Sequence, residues 1–443
     1  MRLNNNRGFT LVEMIVVTAI FVVIIMITGD AFKTILTQTM KLYKSEESNI
    51  EGVVGLEMFR HDLEQAGFGL PDSFQSSITY TEAANAPASS LNDANVNTQI
   101  PRPFVTINGA SGLVDNSSES GNTYTIIDGT DYLAIKATSL GLTPAAQKVT
   151  YVGYTSNSST VQSKPPQSWS VANQNDGDLV IVLRRTFQTG GGVTSQLVTS
   201  ASGDYYTTYR SAGFLSTNSA FAPVLPGEVN YIYGILDKQS STQPSSTLRM
   251  PFNRVDYFVA HPSKSELFPN KTCAPNTGIL YKAVLDHSNG NLIYTPILDC
   301  VADMQVVLGW DLVDASGTAV TDDTLTGDGL IDTWTNADGT KVSSSSSSVT
   351  DTYISDNNIL TDPGHIKTKL KVIKVYIMAQ NGRKDPGYTS PNPVDIVDPA
   401  SGEKSLTRPS GYTLTTGAND MTHYRWKVYR LVIKPKNLIS NQQ

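Results

Sequence analysis

The first apolar pattern in the chain is continuous rather than periodic. From Phe9 to Ile27 nearly every position is apolar, and Glu13 carries the single charge. About 20 such residues cross a hydrocarbon core as a helix, so this stretch predicts a membrane span. Beyond it the pattern becomes periodic. Phe32, Ile35, Leu36, Met40, Tyr43, Ile50, Val53, Val54, Leu56, Phe59, Leu63 and Ala66 recur at spacings of three, four and seven, and no proline occurs before Pro71. The helix is therefore expected to run from Phe9 to Ala66, roughly 85 Å at about 1.5 Å per residue. Gly67, Gly69 and Pro71 supply a stop signal, and Gly29, Gly52 and Gly55 mark places where it could bend.

After Pro71 the period changes. Segments 123–127, 131–137, 148–154, 178–187, 229–235, 254–260, 278–285, 302–308, 369–379 and 424–434 are rich in Val, Ile, Tyr and Thr and are separated by Gly, Asn, Ser and Pro. These read as strands, and no amphipathic helices alternate with them, so an antiparallel α+β head is expected over a βαβ fold. Stretches 85–122, 155–176, 189–204, 238–247, 336–352 and 383–420 read as polar loops.

Composition narrows the classes. With 443 residues, 39% hydrophobic and 16% charged, the chain is neither a small single core nor wholly disordered. A net charge of -7 argues against a phosphate-neutralising surface as its main business. Arg2 and Arg7 precede the span, which places the first eight residues in the cytoplasm and the head outside. No small-x-small cleavage site follows the apolar stretch, so the span is expected to be retained.

Glu13 does not suit a plain anchor. An ionised carboxylate in lipid costs at least a few kcal/mol unless paired. Either it lies near the interface, snorkelling or protonated, or it meets a positive charge supplied by another chain.

Gly8-Phe9-Thr10-Leu11-Val12-Glu13-Met14 after a short basic leader resembles the class III signal of type IV pilins and type II secretion pseudopilins. The resemblance implies a prepilin peptidase cut between Gly8 and Phe9, methylation of the Phe9 amine, and pairing of Glu13 with a neighbouring subunit's amine. The stretch from Leu56 to Pro71, with Arg60, Asp62, Gln65 and Gly67, resembles the helix end of PilW-like minor pilins and the related J-type minor pseudopilins. Leu298–Asp311, Gly327–Trp334 and His423–Asn437 resemble later segments of the same family, whereas 72 to about 250 matches nothing comparable. The implied fold is a pilin-like α+β fold: a long N-terminal transmembrane and spine helix bearing an antiparallel β-rich head with a large insertion. The implied organisation is a leader at 1–8, a membrane part at 9–29, an outer helical half at 30–71, a β-rich insertion or second lobe at 72–250 and a pilin-like head at 251–443. The implied role is a minor pilin in a tip complex that initiates a type IV pilus. A tip adhesin and a secretion pseudopilin are the alternatives. Expected partners are other minor pilins and the major pilin, prepilin peptidase, the inner-membrane assembly platform and, before assembly, lipid.

Cys273 and Cys300 are the only cysteines. Outside the membrane they read as a disulfide, with two buried free thiols as the other reading. Asp322, Asp323, Asp328, Asp332 and Asp338 alternate with Gly327, Gly329 and Gly339. The GDGxxD core fits the middle of a calcium loop, but a full loop would place acids at Thr324 and Thr326 and a Glu at Thr335. Calcium at Asp328, Asp332, Asp322 and Asp323 and a solvated acidic turn therefore both stand; no other cofactor is expected. Trp310 and Trp334 read as core or strand-end aromatics. No HExxH, GxSxG or phosphate-cradling loop is present, and the five histidines are scattered, so an enzyme is not expected. Lys369, Lys371, Lys374, Arg425, Lys427, Arg430, Lys434 and Lys436 gather on two terminal strands, read as edge guards before DNA contacts.

Overall fold

The structure is a computed structural model that describes residues 10–93, 100–116, 121–153, 162–164, 174–187, 193–210, 219–223, 228–238, 247–269, 272–320, 327–396, 412–416 and 419–439. Helix α1 spans Leu11–Glu64, 54 residues capped by Thr10 and ended at Gln65. Gly67 and Gly69 follow with φ of 81° and 68°, left-handed turns that carry the chain off the helix axis.

The chain continues as β1 (Ser73–Phe74), β2 (Phe104–Ile107), β3 (Val114–Asp115), β4 (Tyr124–Ile126), β5 (Tyr132–Ala137), β6 (Val149–Gly153) and β7 (Gln162–Lys164). Next come β8 (Leu179–Phe187), β9 (Val193–Leu197), β10 (Thr207–Thr208), β11 (Val229–Leu236), β12 (Asn253–Pro262), β13 (Gly278–Leu285) and β14 (Leu292–Trp310). The last part holds β15 (Thr333–Asn336), β16 (Lys341–Ser344), α2 (Asp351–Asp356), α3 (Pro363–Lys369), β17 (Leu370–Asn381), β18 (Thr415–Thr416), β19 (Asn419–Asp420), β20 (Arg425–Ile433) and α4 (Lys436–Ile439).

A large sheet of 11 strands runs β16-β15-β14-β13-β12-β4-β3, with β17 linking β14 to β20 and β5 linking β12 to β2. A smaller sheet of seven runs β1-β9-β8-β11-β6-β7, with β10 also on β8. Pairing is antiparallel except between β1 and β9. The fold is thus a long apolar helix followed by a β-rich domain with minor helical content, a pilin-like α+β arrangement. The segment 72–250 is divided between the sheets: β2 to β5 belong to the large sheet, and β1 with β6 to β11 build the small one. Apolar strands such as β5 find partners by register across the chain, which linear spacing does not display.

Both faces of the large sheet are covered. One face packs against Leu56, Phe59, Leu63 and Ala66 of α1. The other packs against the small sheet through Phe258, Tyr281, Ile181 and Ile235. Strands such as β5 and β12 are accordingly buried along almost their whole length instead of alternating. Several expectations change for the same reason. The polar stretches 85–122, 155–176, 189–204, 336–352 and 383–420 contain β2, β3, β7, β9, β16, the start of α2, β18 and β19; β2 is a Phe-Val-Thr-Ile run hidden among polar neighbours, whereas short polar strands such as β9 and β16 are recruited by ladder bonds to a neighbour. Val53 and Val54 are exposed, on the outer side of α1 from the head.

Gly52 and Gly55 are contact points, not bends. A Cβ on Gly55 would lie 2.3 Å from the Ile297 carbonyl oxygen, and one on Gly52 would lie 3.0 Å from Leu298. Their lack of side chains lets α1 lie directly on β14. One turn further, the Phe59 ring stacks on Tyr257 with centroids 3.8 Å apart. Asp62 then accepts from the Tyr257 hydroxyl and pairs with Lys282, each at 2.6 Å.

On the opposite face, Lys136 is fully buried beneath the segment 80–93. It pairs with Glu82 at 2.8 Å and Asp93 at 2.6 Å. Arg254 joins Glu82 and Asp256, and Arg102 closes on Asp93. Burial would raise the Asp93 carboxyl, but Lys136 and Arg102 outweigh that and hold it below the usual carboxylate range.

Two outcomes follow from this packing. Gly55→Ala should destabilise the head by about 1–3 kcal/mol, because backbone cannot yield to the new methyl, whereas Gly29→Ala, with nothing near the added carbon, should leave the head's Tm unchanged. Lys136→Met should cost about 3–5 kcal/mol by removing the buried ammonium that Glu82 and Asp93 share, which leaves them only Arg254 and Arg102. Because the folded Asp93 value lies below 3.8, its contribution is present above that pH and disappears as pH falls further. Denaturant midpoints from pH 7 to pH 3 check both the loss and its sign.

Candidate functional site

The site begins at the start of α1. Thr10 has extended backbone and its hydroxyl accepts from the Glu13 N–H at 3.3 Å. Glu13 Oε2 in return accepts from the Thr10 N–H at 2.9 Å and from its hydroxyl at 3.0 Å. This reciprocal capping box satisfies donors that would otherwise face lipid, and it places the one acid of the span at the very N-terminus, where the helix dipole favours negative charge. Threonine three positions before glutamate was the available sequence signal. Both bonds use Oε2, which leaves Oε1 for a further donor.

Within Leu11–Lys33 the most apolar window of the helix has a mean hydropathy of 2.8, and none of that window is buried against the head. The hydroxyls within it are satisfied internally: Thr18 donates to the Met14 carbonyl at 2.9 Å and Thr28 to that of Ile24 at 2.7 Å. An exposed apolar cylinder with no unpaired hydroxyl is suited to lipid or to packing against other apolar helices. The expected processing residues Gly8 and Phe9 lie outside the described residues.

Cys273 and Cys300 are joined, with Cα atoms 5.0 Å apart. Cys300 has φ of 54°, and at this point β14 leaves β13 and continues along β17. The bond therefore pins the bulge at which the strand changes partner, a left-handed position that disfavours a side chain.

The acidic loop lies only in part among the described residues. Asp322 and Asp323 lie outside the described residues. Asp338 is engaged elsewhere, accepting from Asn108 at 3.1 Å and from the Thr340 N–H at 2.9 Å. Asp328 and Asp332 do come together, with Asp311, a residue that spacing within the loop does not reveal because it belongs to the end of β14. Burial pushes the carboxyls of Asp311 and Asp332 above their ordinary value, opposed for Asp311 by Lys371. Next to them Trp310 is fully buried and donates to the Thr335 hydroxyl at 2.9 Å, while Lys374 lies over the half-buried Trp334 ring.

The basic residues of the terminal strands do not share one face. Lys369 and Lys371 are buried, and Lys371 pairs with Asp311 at 3.3 Å. Arg425, Lys427 and Arg430 lie on β20, which among the described residues pairs with β17 alone and forms an edge.

Residues 3–29 match the prokaryotic N-terminal methylation motif. No curated protein and no solved structure matches the chain. The motif is a type IV pilin-like prepilin signal. It implies processing by a prepilin peptidase and interaction with other pilus components, and with the exposed apolar helix it fits anchoring in a membrane before assembly. It points to a structural protein.

Proposed function

We propose that this chain is a minor pilin of the PilW type, which after cleavage between Gly8 and Phe9 joins a tip complex that initiates a type IV pilus. The observation that carries the reading is the exposed apolar cylinder Leu11–Lys33 with the Glu13 carboxylate at its capped end. Such a surface is stable in lipid or against equivalent helices, and Glu13 makes the second environment selective. Its Oε1 takes the methylated amine of a neighbour's Phe9, and each charge offsets the desolvation of the other. Arg2 and Arg7 before the span hold the N-terminus in the cytoplasm, so the head stands outside the inner membrane until the helix is extracted into the filament.

Head size favours the tip. A head of about 375 residues has a radius of gyration near 21 Å, bulky for a unit repeated along a thin shaft. Because an apical subunit has no earlier neighbour whose amine needs a carboxylate, a chain that retains Glu13 belongs just beneath an apical partner.

Gly8→Val should leave the leader attached, so intact-mass analysis should find the unprocessed variant alongside a wild-type chain that begins at methylated Phe9; a wild-type chain that keeps its leader sinks the proposal. Glu13→Val should anchor normally yet lose co-purification with other pilins by about tenfold or more. Immunogold labelling of sheared pili should give rare, terminal signal, and regular decoration along the shaft would overturn the tip assignment.

A further inference from the structure

The three acids at the end of β14 differ from a solvated turn in one respect. Asp311 is only 1% exposed. Its Oδ2 accepts from the Gly329 N–H at 3.0 Å and faces Lys371 at 3.3 Å. Its Oδ1 is buried and has no hydrogen-bond partner among the described residues. An anionic oxygen left without a donor in the interior carries a large desolvation penalty, so something with positive charge is needed there.

The neighbours supply the rest of a ligand set. One carboxylate oxygen from each of Asp311, Asp328 and Asp332 lies within 4.8 Å of the others. Asp332 is oriented by the N–H groups of Leu312 and Val313, both 2.9 Å from Oδ2, and by the Thr333 hydroxyl on Oδ1. Asp328 is exposed, and its Oδ1 accepts from the Leu330 N–H at 2.9 Å. A Cβ on Gly327 would lie 1.6 Å from Asp311 Oδ1, so only glycine lets the loop pack this close to the carboxylate. Three carboxylates against the one ammonium of Lys371 leave these four groups with a formal charge of -2, which suits a divalent cation. The donors are all oxygen, which selects a hard ion. They come from a strand end, a loop tip and a strand start, an irregular set that calcium tolerates better than octahedral magnesium.

We propose that Asp311, Asp328 and Asp332 bind calcium, which ties the loop 327–332 to the end of β14. Water and backbone carbonyls complete the coordination. The proposal is independent of the assembly role.

The full chain in detergent, stripped with EDTA, is titrated with calcium while Tm is followed, and with terbium while emission sensitised by Trp310 and Trp334 is read. Calcium should raise Tm by several degrees and displace terbium. Asp328→Asn, which keeps the acceptor for Leu330, should weaken binding of both ions by about tenfold or more and leave the Tm of the stripped protein unchanged. Asp314→Asn, in the adjoining turn, should bind as the parent does. No calcium response at millimolar concentration, an undiminished response in Asp328→Asn, or an equal response to magnesium overturns the proposal.

Discussion

The contact between the second half of α1 and β14 is the constraint on which the rest of the structure depends. Two glycines remove the side chains that would hold helix and strand apart, and the Ile297 carbonyl sits where a Cβ of Gly55 would be. Phe59 then reaches Tyr257, and Asp62 finds Tyr257 and Lys282. At the helix end, Glu64 pairs with Lys436 of α4, so the C-terminal region closes over the same joint. An apolar anchor and a large head thereby share one continuous helix, and a force on the membrane half is transmitted to packed core instead of to a linker.

That joint also explains the layering. Once α1 covers one face of the large sheet, the other face needs cover of its own, and the small sheet provides it. Burial on both sides removes the alternation that would mark a half-exposed strand and brings charged residues into the interior. Lys136 and Arg254 are tolerated there because Glu82, Asp93 and Asp256 are delivered with them, two from the segment 80–93 and one from β12 itself. Pairing of this kind adds little net stability over apolar residues but penalises any register that separates the partners.

The two ends of the molecule follow one electrostatic rule in different solvents. At the start of α1 a carboxylate in an apolar setting is partly satisfied by Thr10 and keeps an oxygen for an incoming donor. At the end of β14 a carboxylate in a protein interior is partly satisfied by Gly329 and Lys371 and again keeps an oxygen. In both places an incompletely paired acid singles out where a further charge belongs.

Local chemistry in the chain was sufficient for the parts that depend on neighbours in sequence. An unbroken apolar run states its own solvent, so the apolar helix was legible, its end to within two residues, and strongly β-branched runs marked β5, β8, β12, β13, β17 and β20. The candidate calcium residues Asp328 and Asp332 were legible because GDGxxD is a local turn. Only the tertiary structure decided what depends on distant pairing: that Gly52 and Gly55 are close contacts, that β2 to β5 leave the insertion for the large sheet, and that Asp311 joins the acidic loop. Short polar strands such as β9 and β16 form because a neighbour offers ladder bonds, and Asp311 Oδ1 is left without a donor because of where the fold buries it. Neither condition is carried by residues adjacent in the chain.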